Sequence, residues 1–317
     1  MKKIIKVFVF VAFFGGFQFA KAQEQYVYNQ YHFSYYLINP AVAGAERGSQ
    51  LMIMAKQNWA GLKDAPSTQT ATYFGRLKKG DNVGLGGYVF NDRNGNFYNA
   101  GGQFTFAYHI PLSSGRSQLI YRELDRQLSF AVSAKMLVAG FNSVKGVVDD
   151  ANVSEVRYLP NANVGMYYTS YGFFLGLSAT NIIPISTRWK DEPVAPLTGF
   201  LFLGYAFEVL DRNTHLEPSA TYSMDINLRK QLDLNLKFSQ SFPYNNFGYW
   251  IQFSYRHNLD KGIGRSVAAI PMGGLRFGKF HVGYAFNWSL SNIGTMSYGT
   301  HELMLGYTFT VPKFFAR

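Results

Sequence analysis

The sequence predicts a transmembrane antiparallel β-barrel of about 14 strands with a lipid-facing exterior. Three observations carry this. Apolar and polar residues alternate with period two over most of the chain from Ser49 onward, the mark of strands with one apolar face. The composition is rich in aromatics (17%) and glycine (31 residues). Charged residues make up 15% of the chain, against about 25% in soluble globular domains. Many of the alternating runs span the roughly 9–11 residues of a tilted membrane strand, longer than the 5–6 of a soluble sandwich. A helical bundle is excluded, because the longest apolar run, residues 7–17, falls short of the roughly 20 residues a spanning helix needs. The aromatic content also excludes disorder.

Residues 1–22 read as a signal peptide. Lys2, Lys3 and Lys6 form a positive region, residues 7–17 an apolar one, and Ala20-Lys21-Ala22 an A-x-A cleavage site. Cleavage there removes four lysines and no acid, so the formal charge falls from +11 to +7 (11 − 4). In an exported protein that balance points to a solvated surface or a polar lumen, and not to nucleic acid. The chain has no cysteine, which removes disulfides, thiolate metal sites and cysteine nucleophiles together. Residues 23–48 read as an ordered N-terminal lead-in on the periplasmic side.

The barrel itself spans 49–310, with a short tail at 311–317. Phe104, Phe106 and Tyr108 oppose Gln103, Thr105, Ala107 and His109. Leu232, Leu234 and Leu236 oppose Asp233, Asn235 and Lys237. Tyr249, Ile251, Phe253 and Tyr255 oppose Trp250, Gln252, Ser254 and Arg256. Val282, Tyr284 and Phe286 oppose His281, Gly283 and Ala285. The bulky faces suit lipid, and the Gly, Ser, Thr, Asn and Gln faces suit a lumen. Fourteen runs emerge: 49–58, 67–76, 83–90, 99–109, 127–138, 162–170, 172–180, 199–208, 214–224, 231–239, 247–257, 267–277, 280–290 and 299–310. An even count puts both barrel ends on one side, and longer outer loops alternate with shorter inner turns. Trp59, Trp189 and Trp288 read as girdle aromatics more readily than as partner contacts.

Chemistry-bearing motifs do not survive inspection. Residues 273–279 have phosphate-loop spacing, but Phe280 stands where Ser or Thr is required, and the segment is a hairpin. Asp92-Arg93-Asn94-Gly95-Asn96 is a turn signal lacking the acidic ligand of a calcium loop. The six histidines are dispersed, none at ligand spacing. No enzyme, cofactor or metal is expected. Lys135, Asp233, Lys237, Arg256 and His281 are candidate lumen residues, which leaves open a pore or a plugged, self-paired interior. The two longest outer loops, 139–161 and 181–198, exceed structural need. They carry the candidate partner contacts Asp149, Asp150, Glu155, Arg157, Arg188, Trp189 and Lys190, charge beside a rigid aromatic.

The chain resembles the PorP/SprF family of Bacteroidetes outer-membrane proteins. The resemblance rests on Asn29-Gln30-Tyr31 followed by residues 39–44 (NPAVAG), Gln57-Asn58-Trp59 with Pro66-Ser67-Thr68, and residues 83–87 with Asp92 and Gly95. It continues through residues 163–168 and 176–181, Glu217-Pro218-Ser219, Tyr255-Arg256, residues 283–286 and residues 299–307, in order over nearly the whole mature chain. Asn287, where an acid is expected in many members, and the tail 311–317 depart from the pattern. The resemblance implies a non-enzymatic barrel of the type IX secretion system. Such a barrel would assist export or surface retention of cargo proteins carrying a C-terminal secretion domain, adhesins among them. Its partners would be that cargo, periplasmic and lipoprotein components of the machinery, and outer-membrane lipid. The competing expectation is a general porin or small-solute transporter.

Overall fold

The computed structural model describes residues 28–46, 48–77, 82–112, 126–141, 156–184, 196–211, 213–259, 267–290 and 297–309. The expected signal peptide, the tail and most of the two long loops lie outside these. The strands are β1 (Gln50–Gln57), β2 (Ser67–Arg76), β3 (Val83–Asn94), β4 (Phe97–Pro111), β5 (Arg126–Phe141), β6 (Val156–Ser170) and β7 (Phe173–Thr180). They continue as β8 (Thr198–Tyr205), β9 (Phe207–Glu208), β10 (Thr214–Asp225), β11 (Lys230–Phe242), β12 (Phe247–Asn258), β13 (Val267–Phe277), β14 (Phe280–Ser289) and β15 (Thr300–Thr308). Each long strand pairs antiparallel with its neighbours, and β9 is a two-residue ladder beside β10. The ring closes where β1 meets β15, from Gln50 opposite Thr308 to Gln57 opposite His301. The result is a closed 14-strand antiparallel barrel, continuous from β1 round to β15. Among the described residues no helix is long and apolar enough to cross a membrane.

The period-two pattern fixes which way each side chain points. On β4, Gln103, Thr105, Ala107 and His109 are buried, while Phe104, Phe106 and Tyr108 are exposed on the outer surface. On β12, Ser254 and Arg256 are buried and Ile251, Phe253 and Tyr255 are exposed. Polar inside and apolar outside inverts a soluble protein and fits a hydrocarbon surround. One end of the barrel carries a belt of outward aromatics. Phe242, Phe247 and Phe277 touch in turn along neighbouring strands, and Phe280, Tyr307, Phe309 and Tyr73 continue it. This turn end also holds the tight connection at Tyr171 and Gly172, both at positive φ. The opposite, loop end carries the connection 142–155 between β5 and β6 and the connection 181–197 between β7 and β8.

The first of these is shorter than the expected 139–161, because β5 and β6 run further toward the loop end. Pro160, which falls within that expected loop, lies within β6. β7 pairs with β6 only from Val164 to Ser170, so the loop-end half of β6 is an edge, where proline removes no ladder bond. Pro218 and Pro271 obey the same rule. Pro218 pairs with β11 but falls between the β8 and β9 ladders, and Pro271 pairs with β12 opposite a gap in the β14 ladder.

Residues 28–46 of the lead-in expected on the periplasmic side lie inside the barrel. Three 3-10 turns, Tyr28–His32, Tyr35–Leu37 and Pro40–Val42, cross the lumen before the chain enters β1 at the turn end. Gln30, Tyr36, Ile38, Asn39 and Ala41 are fully buried. The physical reason is composition. Tyr31, Phe33, Tyr35, Tyr36, Leu37 and Ile38 form an apolar cluster too large to leave in water. The barrel offers Phe74, Tyr88, Phe174, Phe200 and Phe202 to receive it.

Candidate functional site

The lumen is built from two partners, the inward side chains of the wall and the plug formed by residues 28–46. The plug is held at three levels. Near the loop end, Tyr31 donates to Asp233 Oδ2 at 2.7 Å, and Gln30 accepts from Thr70 at 2.7 Å. Arg256 clasps the same carboxylate, with Nη2 2.9 Å from Oδ2 and Nε 3.1 Å from Oδ1. His32 Nε2 faces Arg256 at 3.3 Å. Burial, with the Arg256 guanidinium beside it, holds His32 down to about 3, so its ring is neutral. Burial, reinforced by the Asp233 carboxylate, pushes the Tyr31 phenol well above its usual range.

At mid-height, Tyr36 meets Thr105 at 2.8 Å, and Thr105 continues to Ser133. Tyr35 stacks on Phe202 with centroids 4.5 Å apart. Asn39 donates to the carbonyls of Met166 and Leu177 at 2.9 and 3.3 Å and accepts from Ala41 N, capping its own turn. Ser178 donates to Ile38 O at 2.6 Å. At the turn end, His109 Nε2 lies 3.1 Å from Ala43 O, and Arg76 Nε donates to Gly44 O at 2.9 Å.

Two glycines on the wall make these approaches possible. A Cβ at Gly165 would lie 2.0 Å from Asn39 Oδ1, and one at Gly84 would lie 2.0 Å from Ala43 O. Any larger residue would occupy the space the plug needs.

The plug and wall together close the lumen. Each of the fourteen long strands, from Lys56 on β1 and Thr70 on β2 round to Glu302 on β15, carries an inward side chain that is at most 7% exposed. Among the described residues exposure returns toward both ends: Glu217, Lys237, Arg276 and His281 are half-buried at the turn end, and Arg157, Gln231, Asn258 and Asn287 at the loop end. The sealed ring thus lies between half-buried side chains at the loop end and a half-buried vestibule at the turn end.

The candidate lumen residues fall into two groups. Lys135, Asp233 and Arg256 are sealed within the closed region, Lys135 donating to Asn181 at 3.1 Å and lying over the Phe90 ring. Lys237 and His281 face the vestibule, Lys237 over the Trp250 ring and His281 2.8 Å from Thr308. A buried pair that sequence reasoning missed, Lys56 and Glu302 at 3.3 Å, ties the first strand to the last. Of the candidate partner contacts, Arg157 lies on β6 opposite Ala139 and turns inward, not on a loop. Asp149, Asp150, Glu155, Arg188, Trp189 and Lys190 fall outside the described residues. The plug residues Gln30, Tyr31, His32 and Asn39 were also missed. The legible signal was an aromatic-rich segment with an Asn-Pro helix start and no strand of its own. Among the described residues no cluster of His, Asp or Glu could hold a metal ion.

Comparison with known proteins agrees with this architecture. The chain is similar in structure to the CymD monoaromatic hydrocarbon channel, with a TM-score of 0.51 and 10% identity over 87% of this chain and 92% of that one. It is also similar to a Pseudomonas aeruginosa FadL homologue, with a TM-score of 0.50 and 10% identity over 86% and 93%. Against CdiB from Acinetobacter baumannii the TM-score is 0.43 at 9% identity, covering 83% of this chain and 60% of that one. At such identities the first two likenesses speak to the fold alone, that of outer-membrane barrels. No curated protein matches the sequence. The family model described as type IX secretion system membrane protein PorP/SprF matches residues 20–307. With that match spanning nearly the whole barrel and its plug, the chain belongs to the PorP/SprF family of type IX secretion system membrane proteins.

Proposed function

We propose that this barrel assists export, or surface retention, of cargo proteins bearing a C-terminal secretion domain, such as adhesins, and does so without enzymatic chemistry. In this reading the loop end faces outward. The loops 142–155 and 181–197 contact cargo through Asp149, Asp150, Glu155, Arg188, Trp189 and Lys190, with Arg157 at the rim beneath them. The turn end faces the periplasm, toward periplasmic and lipoprotein components of the machinery. The observation that favours an interaction barrel over a general porin is the ring of sealed inward side chains on all fourteen long strands. A porin needs a continuous polar passage, and a 16–18-stranded porin keeps one open.

The test is to replace each loop by a short Asn-Gly turn. The barrel should still form, migrating differently on gels with and without heating, while cargo is lost from the cell surface. Normal surface cargo with both loops shortened would overturn the assignment of the contact surface.

A further inference from the structure

We infer that the plug, residues 28–46, is a fixed permeability seal that stays seated while the barrel handles cargo. This rests on the reading above for the word cargo; the seal itself rests on geometry. A movable gate needs a second position of comparable energy, and the geometry disfavours one. Unseating would strip Tyr31 from a carboxylate that is 1% exposed. It would also leave the buried Asn39 amide without its two wall carbonyls. Tyr36 and Ile38 would be uncovered along with the aromatic wall that holds them. The wall is shaped for this one occupant, since Gly84 and Gly165 leave room for plug atoms where any Cβ would collide. Half-buried inward residues flank the sealed ring on both sides, Lys237 and His281 toward the turn end and Arg157 and Asn287 toward the loop end, so the ring with its plug separates the two. Surface contact with cargo at the loop end then proceeds over a closed lumen.

The absence of native cysteine allows a direct test. Asn39→Cys with Gly165→Cys places a pair across the seat. Asn39 Cγ, where a sulfur would stand, is 3.1 Å from the Cβ position of residue 165, close to the sulfur-to-far-Cβ spacing of a disulfide. The oxidising compartment favours the bond. Two measurements follow. In planar bilayers the wild-type barrel and the oxidised double variant should show no conductance steps. Asn39→Ala, which removes the seat's hydrogen bonds without crowding the wall, should show intermittent steps. Deletion of residues 28–45 should show sustained ones wherever heat-modifiable migration confirms a folded barrel. In cells, the oxidised double variant should retain cargo at the wild-type level. Porin-sized steps from the wild-type barrel would overturn the seal. Cargo loss in the oxidised variant, restored by reduction, would overturn its fixity. Loss of cargo that reduction does not restore, in a barrel that stays sealed, would count against the cargo reading and leave the seal standing.

Discussion

Replacing Gly165 by alanine should unseat the plug while leaving the barrel closed on itself. The new Cβ would stand 2.0 Å from Asn39 Oδ1, well inside contact distance, so the amide must move. It cannot turn in place, because its nitrogen already donates to Met166 O and Leu177 O and its oxygen accepts from Ala41 N. Three hydrogen bonds at a net value of about 1 kcal/mol each give a penalty of about 3 kcal/mol against the seated state. That corresponds to about a 150-fold rise in the unseated population. The reporter is Ser34→Cys, a near-isosteric change at a plug residue that is 6% exposed and whose hydroxyl makes no hydrogen bond among the described residues. Maleimide labelling of that thiol requires opening, so its rate follows the unseated population. The control is Gly199→Ala, where the nearest atom to a new Cβ is 3.8 Å away. Labelling should accelerate by about two orders of magnitude in Gly165→Ala and stay at the background rate in Gly199→Ala. Equal rates in the two would refute the argument that Gly165 keys the plug to the wall.

The facing of the strands makes a second prediction. Phe253→Arg, on an exposed mid-strand position, should cost about 2–4 kcal/mol in the bilayer, whereas Gln252→Arg should assemble normally; equal assembly yields would reverse the face assignment. A third concerns pH. His32 sits at about 3 in the seated plug against 6.5 when freed, so the freed state binds the extra proton between those values. Seating is therefore strongest above about 6.5 and weakens as pH falls toward 3. Labelling of the Ser34→Cys reporter, taken relative to a free thiol at the same pH, should rise by about 100-fold between pH 7.5 and 4.5. Adding His32→Gln should reduce that slope, and an unchanged slope would remove His32 as a cause of it.

The sequence by itself determined the barrel. Period two assigns every side chain on β4 or β12 to lipid or lumen without any knowledge of neighbours, because the pleat alternates faces whatever the partner strand is. Strand number followed from the same local signal, and so did the inward placement of Asp233 and Arg256. Strand limits did not: the alternation places the start of β6 at residue 162, and only pairing carries the strand back to Val156, past Pro160, along a stretch that β7 leaves as an edge. Partnerships were likewise hidden. Tyr31 and Asp233 are 202 positions apart, and no periodicity links them. The largest decision belonged to tertiary structure alone. Residues 28–46 lack a repeating pattern, so their local chemistry says only that they must be buried. Where they are buried depends on a cavity that exists only once β1 has closed on β15, with Gly84 and Gly165 placed to admit them. Pore or plug was therefore settled by long-range packing, which a linear pattern does not encode.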